Sequence, residues 1–438
     1  MAKNLYNIQK LKDSKSFCIA PWITAHTYPS GDIFPCCLYN TDPADYKDTD
    51  PLKPPFGNVN RDELKTTWNS DKYKEMRLQM LDGKKPVGCT RCYHLEKNDG
   101  DSYRKKFRRD FEHKYEIVNQ THEDGTLEDM KLYMWDFRIS NFCNLKCRSC
   151  GPDLSSAWFQ DYMKLFPEDT ERRALININD KASFMDMIES QYEYVEEIYF
   201  AGGEPLVMPE HWYMLEKLIQ MEKTDTLIRY STNFSKLKFA KKHIFDYWKK
   251  FDNLDLYLSV DGVDEIGEYV RKGFISNQFI QNVKDFLNSD VGYRQFGYMV
   301  TYGSLNFLHL FDIVLKFFNE GILDKERHEK QITMAFSPIT QPNYYNCQHL
   351  PNWAKNKFKL RLSTFRNELE NIDVSNEVCD MIMRDLQNAY DRAIETPFNL
   401  EQMKVLKSST EKLDVIRKER FEDVFYYYDG TDSLLRNN

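Results

Sequence analysis

Eight of the ten cysteines in this 438-residue chain lie within its first 150 residues. The tightest set is Cys143, Cys147 and Cys150, in the run NFCNLKCRSCG. Three thiolates spaced C-x3-C-x2-C can wrap one face of a metal cluster. A cubane [4Fe–4S] centre with three local ligands keeps one iron open, and that iron can bind a small molecule as an open catalytic zinc does. The competing reading is a zinc ion completed by a distant ligand, although this spacing is not a common zinc-knuckle pattern.

A second set comprises Cys18, the adjacent Cys36 and Cys37, and the C-x2-C pair Cys89 and Cys92. The N-terminal run MAKNLYNIQKLKDSKS lacks the apolar core of a signal peptide, which predicts a cytoplasmic protein. Clustered thiols in that setting point to metal or redox chemistry rather than structural disulfides. Sixty basic against 68 acidic residues, a net charge of −8, argue against a nucleic-acid coat or a polybasic membrane binder. No apolar run of about 18 residues predicts a membrane span. Cys379, in the helical apolar pattern of Val378, Met381 and Ile382, reads as core, and Cys347 as a loop residue. The histidines, His26 and His94 among them, show no ligand spacing.

These cysteines need elements to hold them. Residues 1–98 read as a small loop-rich unit, with SGDIFPCC entering a short strand, a Pro- and Asp-rich loop at 41–58, and a helix over Glu63–Leu81 stopped at Asp82-Gly83. So thin a core favours a metal staple. Residues 99–130 are charged, and RKKFRR (Arg104–Arg109) predicts a linker helix with a solvated face; a phosphate or nucleic-acid contact is the sharper alternative. From Lys131, strands at 131–139, 196–202, 226–232, 254–260, 295–302 and 331–337 alternate with helices near 153–166, 208–223, 236–251, 276–288 and 307–319. That alternation predicts an α/β fold: a parallel sheet with crossover helices, more naturally a barrel than a flat doubly wound sheet. Residues 346–438 read as a helical region, including FKLRLSTFRNELENI and LDVIRKERFEDVFYYY.

The second of these strands ends in FAGGEPL, where Gly202 and Gly203 permit close backbone approach to a ligand. Glu204 can accept from a ligand ammonium. Barrel active sites lie at that end of the strands.

FCNLKCRSC followed by AGGEP resembles the radical S-adenosylmethionine (SAM) superfamily. The resemblance implies a partial (β/α)6 TIM-like barrel over residues 131–345. Cys143, Cys147 and Cys150 would hold a [4Fe–4S] cluster whose open iron chelates SAM, and Gly202, Gly203 and Glu204 would receive the methionyl ammonium. SAM cleavage would give a 5′-deoxyadenosyl radical that abstracts a substrate hydrogen. Ser259, closing the fourth strand in SVDG, and Arg271, in YVRKGF, match positions that face the SAM carboxylate or ribose. No catalytic acid or base is identified.

The N-terminal motifs CIAPW, SGDIFPCC, FGNVN, TWNS…MRLQML and C-x2-C resemble a SPASM or Twitch auxiliary-cluster domain, here placed ahead of the barrel. The single-cluster Twitch form fits the cysteine count, with Cys18, Cys36, Cys89 and Cys92 as ligands to an auxiliary [4Fe–4S] cluster. The alignment prefers Cys36 to its neighbour Cys37, and zinc on the same four thiolates is the alternative. The implied protein is an oxidoreductase or a peptide- or small-molecule-modifying enzyme. Its substrate would be a peptide or protein side chain, or a small alcohol or sugar-like molecule, and its electron donor a flavodoxin or ferredoxin. A non-catalytic zinc-binding interaction protein on a degenerate barrel is the reading of a different class. A nucleic-acid modifier, motivated only by RKKFRR and the aromatic content, is not expected.

Overall fold

The computed structural model describes residues 6–39, 54–97, 100–323, 332–372 and 374–425. The larger part of the 41–58 loop, residue 331 and residues 426–428 of the terminal run therefore lie outside the described residues. The chain forms two compact units.

The first unit takes in Met1–Ser140, Ile176–Gly202 and Lys217–Ile228. Its strands are β1 (Thr24–Thr27), β2 (Asp32–Phe34), β3 (Gly57–Asn58), β4 (Met134–Phe137) and β5 (Glu197–Phe200), in spatial order β5-β4-β1-β2-β3. β4 runs parallel to β5 and to β1, with Thr24 opposite Met134 and Thr27 opposite Phe137. All four residues of β1 and of β4 are buried, as strands covered on both faces must be. The cysteine-rich N-terminal segment thus shares a sheet with the first strand of the expected barrel. That pairing spans about a hundred residues of sequence, and no local pattern announces it.

Two local expectations in this unit are corrected. The helix over Glu63–Leu81 is two helices, Leu64–Trp68 and Asp71–Leu81. Asn69 separates them because its side chain pairs with the backbone of Leu127, donating to the carbonyl at 2.9 Å and accepting from the N–H at 2.9 Å. The basic face of the RKKFRR helix, Tyr103–Phe111, is only partly solvated. Arg104 is buried on Glu96, Lys106 pairs with Glu197 at 3.1 Å, and Arg109 pairs with Asp101 at 2.9 Å. These pairings leave little of the run for phosphate.

The second unit takes in Asn141–Leu175, Gly203–Glu216 and Arg229–Asn438. It holds β6 (Leu227–Thr232, from Arg229 on), β7 (Leu254–Ser259), β8 (Gln295–Tyr302) and β9 (Ile332–Pro338), in that spatial order. β7–β8 and β8–β9 are parallel. Helices Ser276–Leu287 and Leu310–Asn319 make the crossovers between them. The helix expected over 236–251 is only Ile244–Trp248. A hairpin of Lys238–Phe239 with Lys242–His243 replaces its first half, with Ala240 at φ 52° in the turn. Lys242 is drawn to Glu216 at 2.6 Å, and the His243 ring accepts from the Phe245 N–H as an N-cap.

The C-terminal region is helical, as expected: Asn352–Glu370, Asn376–Ile394 and Leu400–Arg417, then the short Phe421–Val424. Val378, Cys379, Ile382, Leu386, Ala389 and Ala393 form the buried stripe of the second helix, so Cys379 is core. Cys347 is also buried, in the turn Cys347–His349. The α/β class, the parallel strands and the helical C-terminus read from the sequence are all present. No helix among the described residues is long and apolar enough to cross a membrane.

Candidate metal centres

The loop carrying Cys143, Cys147 and Cys150 is fixed at both ends by its own second unit. Asn141 is fully buried; its side chain donates to the Pro152 carbonyl at 2.9 Å, and its carbonyl accepts from the Ser156 N–H at 2.8 Å. Ser155 donates to the Leu145 carbonyl at 2.6 Å, and the Trp158 indole to the Cys147 carbonyl at 2.7 Å. Lys146–Cys147 forms a two-residue antiparallel ladder with Arg271–Lys272, in which Arg271 lies opposite Cys147.

Arg271 is therefore a neighbour of the cysteine loop. Its guanidinium is buried and donates to Asp261 at 3.1 Å, while its Nε has no partner. Burial works against its charge, but Cys147, Asp261, Cys150 and Cys143 hold its pKa above the ordinary guanidinium value. Cys147 is pulled below the usual thiol range, chiefly by its hydrogen bond with Cys150 and then, against burial, by Arg271. Burial raises Cys143 to about 12. A metal centre that takes up these thiolates replaces their protons.

Gly203 packs directly on this loop. Its φ is 53°, and a Cβ there would collide with the Phe142 carbonyl oxygen, which also accepts from the Glu204 N–H at 2.8 Å. Gly202, in the first unit, has φ 81° and lies against the Arg138 side chain.

Glu204 is 1% exposed and already engaged. It accepts from Thr232 Oγ1 at 2.6 Å, the Asn233 N–H at 2.7 Å and the Leu206 N–H at 3.1 Å. Burial raises its pKa while these donors oppose the rise. Three donors leave about one carboxylate lone-pair site for a ligand ammonium. Asn233, fixed by Glu204, turns its amide to Asn144 at 3.1 Å and lies 4.0 Å from Cys143 Sγ. Ser259 ends β7 half-buried, and the partner of Arg271 is Asp261, two residues further on.

The second group lies wholly in the first unit. Cys18, Cys36, Cys89 and Cys92 line one hollow with Tyr93, Tyr103 and Arg104. Burial raises Cys18 to about 12; Cys36 is raised by burial and then by Cys37, Cys92, Cys89 and Cys18. Cys37 does not line this hollow. It is hydrogen-bonded with Asp136 and Tyr103. Arg104 stands over the group, held by Glu96 at 2.9 Å and by the Ser14 and Phe17 carbonyls at 3.0 and 3.2 Å.

Sequence spacing missed the polar partners. Asp261 and Asn233 sit inside SVDG and STN, but their roles emerge only with the fold. His26, assigned no role, is buried with Nδ1 at 3.1 Å from the Asp136 carboxylate and Nε2 unpartnered.

Comparison with known proteins identifies two domains. Residues 137–304 match the radical SAM superfamily model, and residues 18–93 match SPASM, an iron–sulfur cluster-binding domain. The chain therefore carries a radical SAM domain with a SPASM domain on its N-terminal side. A search of curated proteins returned no match. Solved structures give distant likenesses. SuiB of Streptococcus suis bound to S-adenosylmethionine is 15% identical, with TM-score 0.34, over 59% of this chain and 52% of that one. SuiB bound to its precursor peptide SuiA is 14% identical, with TM-score 0.33, over 69% and 60%. TYW1 with a lysine–pyruvate adduct bound is 13% identical, with TM-score 0.25, over 54% and 71%. The chain thus spans about half the length of SAM-bound SuiB.

A radical SAM domain implies a [4Fe–4S] cluster with SAM, and a SPASM domain an auxiliary iron–sulfur centre. The residues present fit both. The first site combines three thiols, an unpartnered buried Arg271 Nε and a Gly203 backbone that no side chain can crowd. The second offers four thiols lining one hollow, a complete all-cysteine ligand set for one cluster.

Proposed function

We propose that this protein is a radical SAM enzyme whose SAM-site cluster is held by Cys143, Cys147 and Cys150 and whose auxiliary cluster is held by Cys18, Cys36, Cys89 and Cys92. When bound, the cluster and SAM supply one-electron cleavage of the SAM sulfur–C5′ bond and hydrogen abstraction from substrate by the 5′-deoxyadenosyl radical. The observation that carries this reading is the buried Arg271, which faces the three-cysteine loop with its Nε free.

The chain's own residues have separate tasks. Arg271 offers a donor to the SAM carboxylate, and Asp261 fixes its orientation. The Gly202–Gly203 backbone and the remaining lone-pair site of Glu204 receive the methionyl ammonium. Glu204 also fixes Asn233 beside Cys143, so that loss of Glu204 disturbs both ligand and loop. Ser259, at the strand end, would face the SAM carboxylate or ribose. In the auxiliary site four thiolates would leave no iron open, so a cluster held there would serve electron transfer rather than substrate binding, and Arg104 lines the same hollow.

The substrate is a peptide or protein side chain, or a small alcohol or sugar-like molecule, and reduction comes from a flavodoxin or ferredoxin. The test is anaerobic reconstitution followed by incubation with SAM and dithionite. Release of 5′-deoxyadenosine by wild type, and its loss in the Cys143/Cys147/Cys150→Ala variant, is the expected result. A protein that binds zinc without sulfide and releases no 5′-deoxyadenosine would be a binding protein instead.

A further inference from the structure

The residues on either side of Cys147 are tied to the C-terminal region, Arg148 directly and Lys146 through Asp161. Lys146 Nζ lies 3.0 Å from Asp161 Oδ1, and Arg417 Nε donates to the other oxygen of that carboxylate at 2.9 Å across 256 residues of sequence. The Arg417 guanidinium covers the Trp158 ring at 4.6 Å, and that indole donates to the Cys147 carbonyl. Arg148 Nη2 donates to Asp414 at 2.5 Å and to Glu419 at 2.9 Å, and its guanidinium covers Tyr269 at 3.8 Å. The Tyr269 hydroxyl and the Phe421 N–H complete the Asp414 carboxylate, each at 2.8 Å. Lys418 ends the helix at φ 56°, which turns Glu419 back to meet Arg148 and also Lys272 at 2.8 Å.

Arg148 and Arg417 are the buried cations of this network, facing Asp161, Asp414 and Glu419, while Lys146 and Lys272 reach it from partly exposed positions. Arg148 Nη1 and both Nη atoms of Arg417 are buried without partners. Burial and the like charge of Arg148 both work against the Arg417 charge. Buried guanidinium nitrogens left without partners are costly unless an anionic group lies within their field, and a thiolate-ligated iron–sulfur cluster is such a group.

We propose that Arg417, carried by the C-terminal helix Leu400–Arg417, is a positioning residue of the SAM-site cluster: it clamps the Cys147 loop through Asp161 and Trp158, and its charge raises the cluster's reduction potential. Reduction adds an electron, so a nearby fixed cation favours the reduced form. The inference rests on Cys143, Cys147 and Cys150 being the ligands.

The experiment is a redox titration of the reconstituted full chain, followed by electron paramagnetic resonance, in wild type, Arg417→Met and Arg417→Lys. The auxiliary cluster in the same molecule is the internal reference. Arg417→Met is expected to retain both clusters and to leave the auxiliary potential in place. Its SAM-site potential moves negative, the SAM-induced spectral change weakens, and 5′-deoxyadenosine release falls about tenfold. Arg417→Lys recovers most of the potential. An unmoved SAM-site potential with a normal rate, or equal shifts at both clusters, overturns the proposal. If Arg417→Met does not fold, Glu419→Gln tests the same field with the opposite sign, since removing an anion moves the potential positive; no shift, or a negative one, overturns it. Absence of any SAM-site signal in wild type would instead sink the ligand assignment.

Discussion

Arg271 stands opposite Cys147 in a two-residue antiparallel ladder, and the pairing brings a buried guanidinium to the cysteine loop from 124 positions further along the chain. Asp261 holds one nitrogen, and Nε remains without a partner. Arg271→Leu leaves Asp261 buried without its cation and removes the donor offered to SAM. Loss of about 10- to 100-fold in SAM cleavage is expected, with iron at the auxiliary site retained. Arg271→Lys keeps the charge without the planar fork and recovers only part of the rate. Initial rates of 5′-deoxyadenosine release at several SAM concentrations check both.

The two glycines of AGGEP are predicted to differ. Alanine at either position meets a positive φ, at about 1–2 kcal/mol. At Gly203 the added methyl also meets the Phe142 carbonyl, a backbone atom that moves only with the cysteine loop. At Gly202 it meets the Arg138 side chain at 2.9–3.3 Å, a side-chain rather than a backbone contact. Gly203→Ala therefore loses more iron from the SAM site, and more thermal stability, than Gly202→Ala. Iron assays and melting curves on the two variants decide it.

Cys36 and Cys37 are adjacent in sequence but not in role. Cys36 shares the hollow of Cys18, Cys89 and Cys92, whereas Cys37 is hydrogen-bonded with Asp136 and Tyr103. Cys36→Ser is expected to lose the auxiliary cluster and Cys37→Ser to retain it. Iron content and the visible absorption of each reconstituted variant provide the check.

His211 contributes a pH dependence of stability. It is buried against Tyr230, with Nε2 2.8 Å from the hydroxyl, and burial lowers its pKa from 6.5 to about 3. Between those values the unfolded chain binds a proton that the folded chain does not, so stability falls as pH drops below 6.5, by up to about 1.4 kcal/mol per unit. His211→Gln should flatten this part of the acid limb. Chemical denaturation of both proteins at pH 7, 6 and 5 measures the difference in slope.

Much of this arrangement was legible in the sequence because it is local. Each of the six expected strands appears within a few residues of its apolar run, from Met134–Phe137 to Ile332–Pro338. The C-x3-C-x2-C set and AGGEP can be read as motifs because their residues are close in sequence. What failed depended on partners outside the local pattern. Asn69 breaks a helix for the sake of Leu127, Lys242 turns toward Glu216 where a helix was expected, and the RKKFRR cations find Glu96, Glu197 and Asp101. The anchoring of Arg148 by Asp414 joins residues 266 apart, and neither position carries a local signal.

On the proposed assignment, two separate cysteine sets hold two separate iron–sulfur centres. Iron and acid-labile sulfide should be counted in reconstituted wild type, in Cys143/Cys147/Cys150→Ala and in Cys18/Cys36/Cys89/Cys92→Ala. The account predicts about eight irons in wild type and about four in each variant, with matching sulfide. Zinc without sulfide, or loss of all iron from either variant while its fold persists, would contradict it.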